Sequence, residues 1–300
     1  MNTNTKRIKK CALKALRRRL EVLATPITFA VTSFVSLCCF CQSATASDAP
    51  LAYDGFNYTL NQTLLGQGTD AGWASSGQTY TISAGDGTGA HSEVSDMTPY
   101  LNLETSGNQL NLLGASAPGG ASGVYRNLGT TYNTANNDYW FSALLQLDTT
   151  AGNSYAGISL FSNTSEALFF GQTWQGTTWS VQSYHGGGVV SSGISTLNSS
   201  NGFLVVELNG VSHTANFYVN PTSLGGSAPD TTNNTFSFSD FSFDRLRIQA
   251  GSETLDVDEL RFGTTYASVT PTAVPEPATL SLLALGGVAL LRRRRVRGDD

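Results

Sequence analysis

Tyr139-Trp140-Phe141-Ser142-Ala143-Leu144-Leu145-Gln146-Leu147 is the longest strand-like apolar run in the middle of this 300-residue chain, and its reading decides the fold. Aromatic and branched residues dominate it, which suits a buried strand better than an amphipathic helix. Shorter runs of the same character surround it: Ala156–Phe161, Ala167–Phe170, Thr178–Tyr184, Gly202–Leu208, Ala215–Val219, Asp244–Gln249 and Leu255–Phe262. Gly186-Gly187-Gly188, Asn198 to Asn201, Asn209-Gly210 and Gly225-Gly226 punctuate them. Many short strands with Gly/Asn turns and no amphipathic helix predict an all-β fold, an antiparallel two-sheet jelly-roll sandwich. Asn209-Gly210 predicts a hairpin between two of these strands. Residues 66–92 and 114–123, rich in Gly and Ser, read as surface loops.

The four cysteines, Cys11, Cys38, Cys39 and Cys41, all precede residue 47. A domain starting there has no disulfide framework and relies on an ordinary apolar core. Of the 17 basic residues, 8 lie in residues 1–46 and 5 in residues 274–300, leaving Arg126, Arg245, Arg247 and Arg261. Four of the 22 acidic residues also lie in those termini, so residues 47–273 carry 4 basic against 18 acidic groups, a formal −14 without lysine. Nucleic-acid binding needs a basic face and is excluded. Anionic polymers are disfavoured unless a divalent cation bridges them.

Both termini read as handling segments. Lys6, Arg7, Lys9, Lys10, Lys14 and Arg17 to Arg19 form a basic stretch, followed by apolar Ile27–Cys41 and the small-x-small sequence Ala44-Thr45-Ala46. That order predicts a signal peptide over residues 1–46, cleaved between Ala46 and Ser47. At the other end, Val274-Pro275-Glu276-Pro277 precedes an apolar run of 14 residues, 278–291, and then Arg292, Arg293, Arg294, Arg295 and Arg297. About 14 residues give roughly 21 Å of helix, so a membrane span there depends on snorkelling arginines. This tail resembles the PEP-CTERM signal recognised by bacterial exosortases. The resemblance implies an exosortase-type sorting protease as partner, with Pro275, Glu276 and Pro277 as the motif, residues 278–291 as a transmembrane sorting helix and 292–297 as a basic stop. The expected division is therefore 1–46, a domain over 47–263, a linker over 264–273, and a sorting signal over 274–300. The expected destination is the bacterial cell envelope, outer surface or extracellular matrix.

Within the domain, Leu51-Ala52-Tyr53-Asp54-Gly55-Phe56, Gly72-Trp73, Ala156–Phe161, Asn220-Pro221, Phe243–Arg247 and Asp258–Thr265 follow one another in a familiar order. This succession resembles the LamG-like, concanavalin A-type domains. The resemblance implies a jelly roll and no particular activity.

No motif commits the chain to catalysis. Glu253, Asp256, Asp258 and Glu259 are the densest acidic cluster. Against the Glu-x-Asp-x-x-Glu strand of laminarinase-type glycosidases, Asp256 and Glu259 align, but Thr254 stands where the nucleophilic glutamate belongs. Hydrolysis with retention needs both carboxyl groups, about 5–5.5 Å apart. A structural reading puts Asp256 and Asp258 on a solvent-facing side. It pairs Glu259 or Asp258 with Arg245 or Arg247, and requires a bulge or a buried pair to accommodate both Glu259 and Arg261. Calcium, held by carboxylates and loop carbonyls, is the alternative for this cluster, and no other cofactor is expected. His91, His185 and His213 lack metal-ligand spacing, and Asp86-Gly87-Thr88-Gly89 reads as a turn.

Exposed aromatics offer a sugar-stacking platform, with Trp73, Trp174 and Trp179 as expected carbohydrate contacts and Tyr184 and Tyr132 as further candidates. The sequence thus predicts a secreted, non-enzymatic protein with a structural or adhesive role in the extracellular matrix. The alternative is a lectin-like carbohydrate-binding module, with or without calcium, and a glycan-active hydrolase comes third.

Overall fold

A computed structural model describes residues 49–60, 64–65, 67, 73, 81–82, 91–94, 97–114, 122–147, 154–186, 188–195 and 201–273. All belong to one compact unit, Ser47–Asp300. The expected signal peptide, its expected cleavage point between Ala46 and Ser47, the Pro275-Glu276-Pro277 motif, the apolar run 278–291 and the expected basic stop lie outside them. Among the described residues, no helix is long and apolar enough to cross a membrane.

Two antiparallel sheets make the sandwich. The first contains β1 (Ala52–Asp54), β3 (His91–Val94), β4 (Gln109–Leu112), β6 (Asp138–Leu147), β11 (Gly202–Asn209), β12 (Thr214–Val219), β13 (Asn234–Ser237) and β15 (Leu255–Gly263). Its order is β13-β12-β11-β6-β15-β4-β3, and β1 extends it by pairing with β15 beyond β4. The second contains β2 (Thr81–Ile82), β5 (Ser122–Asn133), β7 (Ala156–Ser162), β8 (Ser165–Gln172), β9 (Thr178–Ser183), β10 (Gly188–Ser195) and β14 (Ser242–Ala250), ordered β10-β9-β8-β7-β14-β5-β2. The jelly-roll expectation holds.

Period-2 alternation fills the space between the sheets. Phe141, Leu145, Leu204, Val206, Phe217, Val257 and Phe262 from the first sheet meet Val124, Ile158, Leu160, Phe170, Val181 and Ile248 from the second. Stacked and edge-on rings of Tyr132, Tyr139, Phe141, Phe243 and Phe262 fill one region of it. The first sheet is also covered on its outer face. There Trp140, Leu144, Phe203, Val205 and Tyr218 pack with Met97, Leu103, Tyr266 and Val269. This second cluster explains why β6 and β11 read as almost unbroken apolar runs.

The hairpin at Asn209-Gly210 forms, with β11 and β12 paired in register from Leu204↔Val219 to Asn209↔Thr214. Its turn is longer than a two-residue loop, and Asn209 Oδ1 accepts the N–H groups of Val211 and Ser212. Glycine is required at 210, because a Cβ there would lie 1.8 Å from the Thr134 carbonyl oxygen.

Residues 264–273, expected as a linker, are folded. Thr265 caps a short helix, α1 (Tyr266–Val269), through a reciprocal capping box with Ser268. Tyr266 and Val269 enter the second cluster, and Ser142 Oγ donates to the Val269 carbonyl at 2.6 Å. The chain then pairs with residues 102–104 through a Leu103↔Thr272 bridge.

Candidate functional site: a groove on the outer face of the second sheet

β8, β9, β7 and β14 present their outward residues in aligned rows. Register places Gln182 beside Phe169, Phe169 beside Ser159, and Ser159 beside Arg247. One row along, Gln249 pairs with Gly157, which pairs with Gly171. The glycines keep this row flat: a Cβ on Gly157 would lie 2.3 Å from the Phe170 carbonyl oxygen and 2.9 Å from the tip of the Phe169 ring. The same outward row also places Tyr125 beside Arg247.

The result is a groove of about 280 Å³ lined by Tyr155, Glu166, Phe169, Thr173, Trp174, Gln182, Tyr184, Arg247 and Gln249. Trp174 is 53 % exposed at one wall and tilts against Tyr155 with ring centroids 6.0 Å apart. Tyr184 is also exposed. Glu166 Oε1 accepts from Arg247 at 3.1 Å and from Ser159 Oγ at 2.5 Å, and Gln249 Nε2 reaches Ser159 Oγ at 3.4 Å. The Arg247 guanidinium lies 4.3 Å from the centre of the Phe161 ring. Its buried Nε has no hydrogen-bond partner among the described residues. Desolvation, then the nearby Glu166 charge, pushes the Tyr184 phenol up to about 12. Aromatic walls, amide side chains and an internally neutralised ion pair suit a ligand with an apolar face and many hydroxyls.

The expected aromatic platform divides. Trp174 and Tyr184 belong to the groove, whereas Trp73 and Trp179 are buried and cannot offer a free face. Trp179 fills the core against β11, where a Cβ on Gly202 would strike its indole. Trp73 donates from Nε1 to the Tyr53 carbonyl at 2.7 Å, with the Arg126 guanidinium 4.3 Å over its ring. Tyr132 is packed into the aromatic cluster of the core. Sequence reading missed Glu166, Arg247, Gln182 and Gln249. Their signal is present, since Arg247 and Gln249 alternate with Leu246 and Ile248, but only strand register shows that they share one surface.

The acidic cluster does not converge. Asp256 and Asp258, expected to face solvent, are buried, because the outer face of the first sheet is covered. Asn111 donates to Asp256 at 2.6 Å, the Glu259 N–H to Asp258 at 2.7 Å, and Gln172 to Glu253 at 2.8 Å. Glu259 sits in a bulge between Asp258 and Arg261 with φ 54° and forms a buried ion pair with Arg261. It also accepts from the Ser106 N–H at 2.6 Å and from Tyr53. Burial raises its carboxyl, against the lowering influence of Arg261 and these donors. Both devices required to accommodate Glu259 and Arg261, the bulge and the buried pair, are therefore present. The expected partners are not: Arg245 pairs with Asp244 and Arg247 with Glu166, all on the second sheet. Among the described residues, no group of three or more His, Cys, Asp or Glu side chains could hold a metal ion. Asp86–Gly89 lies outside the described residues.

Among solved structures, the chain is similar to the T. cruzi calreticulin globular domain, with 10 % identity, a TM-score of 0.42, and coverage of 62 % of this chain and 84 % of that one. It is similar to a cellulose-induced protein, Cip1, with 12 % identity, a TM-score of 0.42, and 62 % and 90 % coverage. An alginate lyase from Corynebacterium sp. gives 10 % identity, a TM-score of 0.39, and 62 % and 93 % coverage. No curated protein matches the sequence. Residues 273–295 match the PEP-CTERM protein-sorting motif, which implies processing by an exosortase. Such a motif implies a secreted protein of the bacterial cell envelope or surface, and the match begins at Ala273, the last described residue.

Proposed function

We propose that this chain is an exported, non-catalytic surface protein with an adhesive role, whose sandwich contacts uncharged glycans through the groove on the second sheet. Trp174 carries the proposal. A tryptophan left 53 % exposed beside Tyr155 and Tyr184, above Gln182, Gln249 and the Arg247–Glu166 pair, matches the two faces of a pyranose ring. The apolar sugar face would stack on the indole while amide and charged groups take the hydroxyls.

Binding without cleavage fits the carboxylate inventory. Among the described residues, Glu166 is the one carboxylate lining the groove, already tied to Arg247 and Ser159, whereas glycoside hydrolysis by the common mechanisms requires a pair. Glu259, aligned with the glycosidase pattern, is buried in the other sheet. An uncharged ligand fits the charge balance, since the domain carries −14 and Arg247, the one cation among the described lining residues, is already matched. A glycan array probed with and without a chelator tests the proposal. Chelator-independent signal on neutral glycans is expected, calcium-dependent signal would favour the calcium variant, and binding to nothing would end the glycan reading.

A further inference from the structure

The fold reaches the edge of the sorting motif without a spacer. Thr270 is fully buried; its Oγ1 donates to the Tyr266 carbonyl at 2.8 Å and accepts the Gly225 N–H at 3.0 Å. Beyond it, the Glu104 N–H donates to the Pro271 carbonyl and the Ala273 N–H to the Asn102 carbonyl, both at 2.9 Å. These two bonds flank the Leu103↔Thr272 bridge. Exposure rises along the segment, from buried Thr270 through half-buried Pro271 and Thr272 to exposed Ala273. Only Val274 then separates this clasp from Pro275.

A protease takes its substrate as an extended strand and bonds to main-chain groups on both sides of the cut. The groups just before the motif, the Pro271 carbonyl and the Ala273 N–H, are already committed to residues 102–104. Distance adds to the conflict. The apolar run begins at Ala278, five residues beyond Ala273, which allows at most about 18 Å of extended chain between the folded surface and the membrane segment. We propose that Pro271–Ala273 is a positioning element for tail processing: it must peel from Asn102–Glu104 so that a membrane-embedded sorting protease can engage the motif. This rests on the reading that the tail is processed by such a protease. Processing then proceeds from the open state, at a rate set by its population when opening and closing are fast. The exposure gradient sets the hinge at Thr270, so the domain itself stays folded while the last residues open.

A reversible lock tests it. Leu103 and Thr272 face each other as a non-hydrogen-bonded antiparallel pair, whose Cα separation of about 4.5 Å accepts a disulfide. The full-length chain carrying Leu103→Cys and Thr272→Cys is expressed in its own host, and tail removal is followed by mass with and without reductant. Oxidised protein is expected to lose its tail roughly tenfold or more slowly than reduced protein. A Gly/Ser spacer of about eight residues after Ala273 is expected to abolish the difference. Should the cysteine variant fail to fold, the spacer in the otherwise unaltered chain decides, since it should speed processing. Equal rates for locked and reduced protein, or no effect of the spacer, would overturn the clasp proposal while leaving the sorting reading intact. An unaltered chain that keeps its tail would overturn both.

Discussion

Arg126 lies wholly inside the sandwich, paired with Asp54 from the other sheet; its NH1 also lies 3.0 Å from the Tyr58 hydroxyl, and the guanidinium covers Trp73. Removing one partner of a buried pair leaves an uncompensated charge and costs about 3–5 kcal/mol. Arg126→Met is therefore expected to lower the denaturation midpoint sharply. Adding Asp54→Leu should recover part of the loss, and strictly additive losses would contradict the pairing. Tyr184 yields a prediction in pH. An ordinary tyrosine is half ionised near pH 10. Tyr184, raised to about 12, keeps its proton and adds no charge beside Glu166 below that value. Glycan affinity should therefore stay level through about pH 10, and a fall centred there that Tyr184→Phe abolishes would contradict the raised value. Exposure of single tryptophans was the least legible property at this scale. Trp73 reads as surface beside Gly72 until Arg126, distant in sequence, is laid over it. Trp174 and Trp179, five positions apart, separate only because Trp179 falls on an inward strand position and Trp174 on the preceding turn.

β15 shows how an element can be forced into irregularity by its own side chains. Leu255, Val257, Leu260 and Phe262 all point into the main core, which strict alternation forbids across positions 257 and 260. The bulge inserts the missing step and leaves Glu259 in the left-handed region, where a side chain pays about 1–2 kcal/mol that glycine avoids. Glu259→Gly is therefore expected to destabilise less than Glu259→Ala, by about 1 kcal/mol in denaturant melts, although both strip Arg261 of its partner. The reverse order would show that backbone strain at 259 is unimportant. Eight strands were legible to within about two residues because their apolar runs are continuous or cleanly alternating. The other seven described strands were not, and β5 and β10 show why. β5 has an exposed polar end at Gly129–Thr131, and β10 is a Gly/Ser-rich edge strand whose side chains are exposed or only half-buried. The segment 264–273 misled through its Thr and Pro content, yet Thr265-x-x-Ser268 was a usable cap signal before Tyr266 and Val269.

At the scale of the molecule, charge and address belong together. Each of the four basic residues in 47–273 is in an ion pair: Arg126 with Asp54, Arg245 with Asp244, Arg247 with Glu166 and Arg261 with Glu259. Each of these cations is matched by a carboxylate, and a domain at a formal −14 with four arginines and no lysine offers no basic patch to recruit an anionic polymer. A domain so built, and tagged at residues 273–295 for sorting, suits contact with uncharged surface glycans. The most direct measurement is a calorimetric titration of a neutral oligosaccharide, chosen from the array, into the unaltered protein and into Trp174→Ala, at low and high salt. Binding that is indifferent to salt and weakened roughly tenfold or more by Trp174→Ala is the expected result. Affinity unchanged by Trp174→Ala, or binding confined to uronic-acid polymers and abolished by salt, would contradict it.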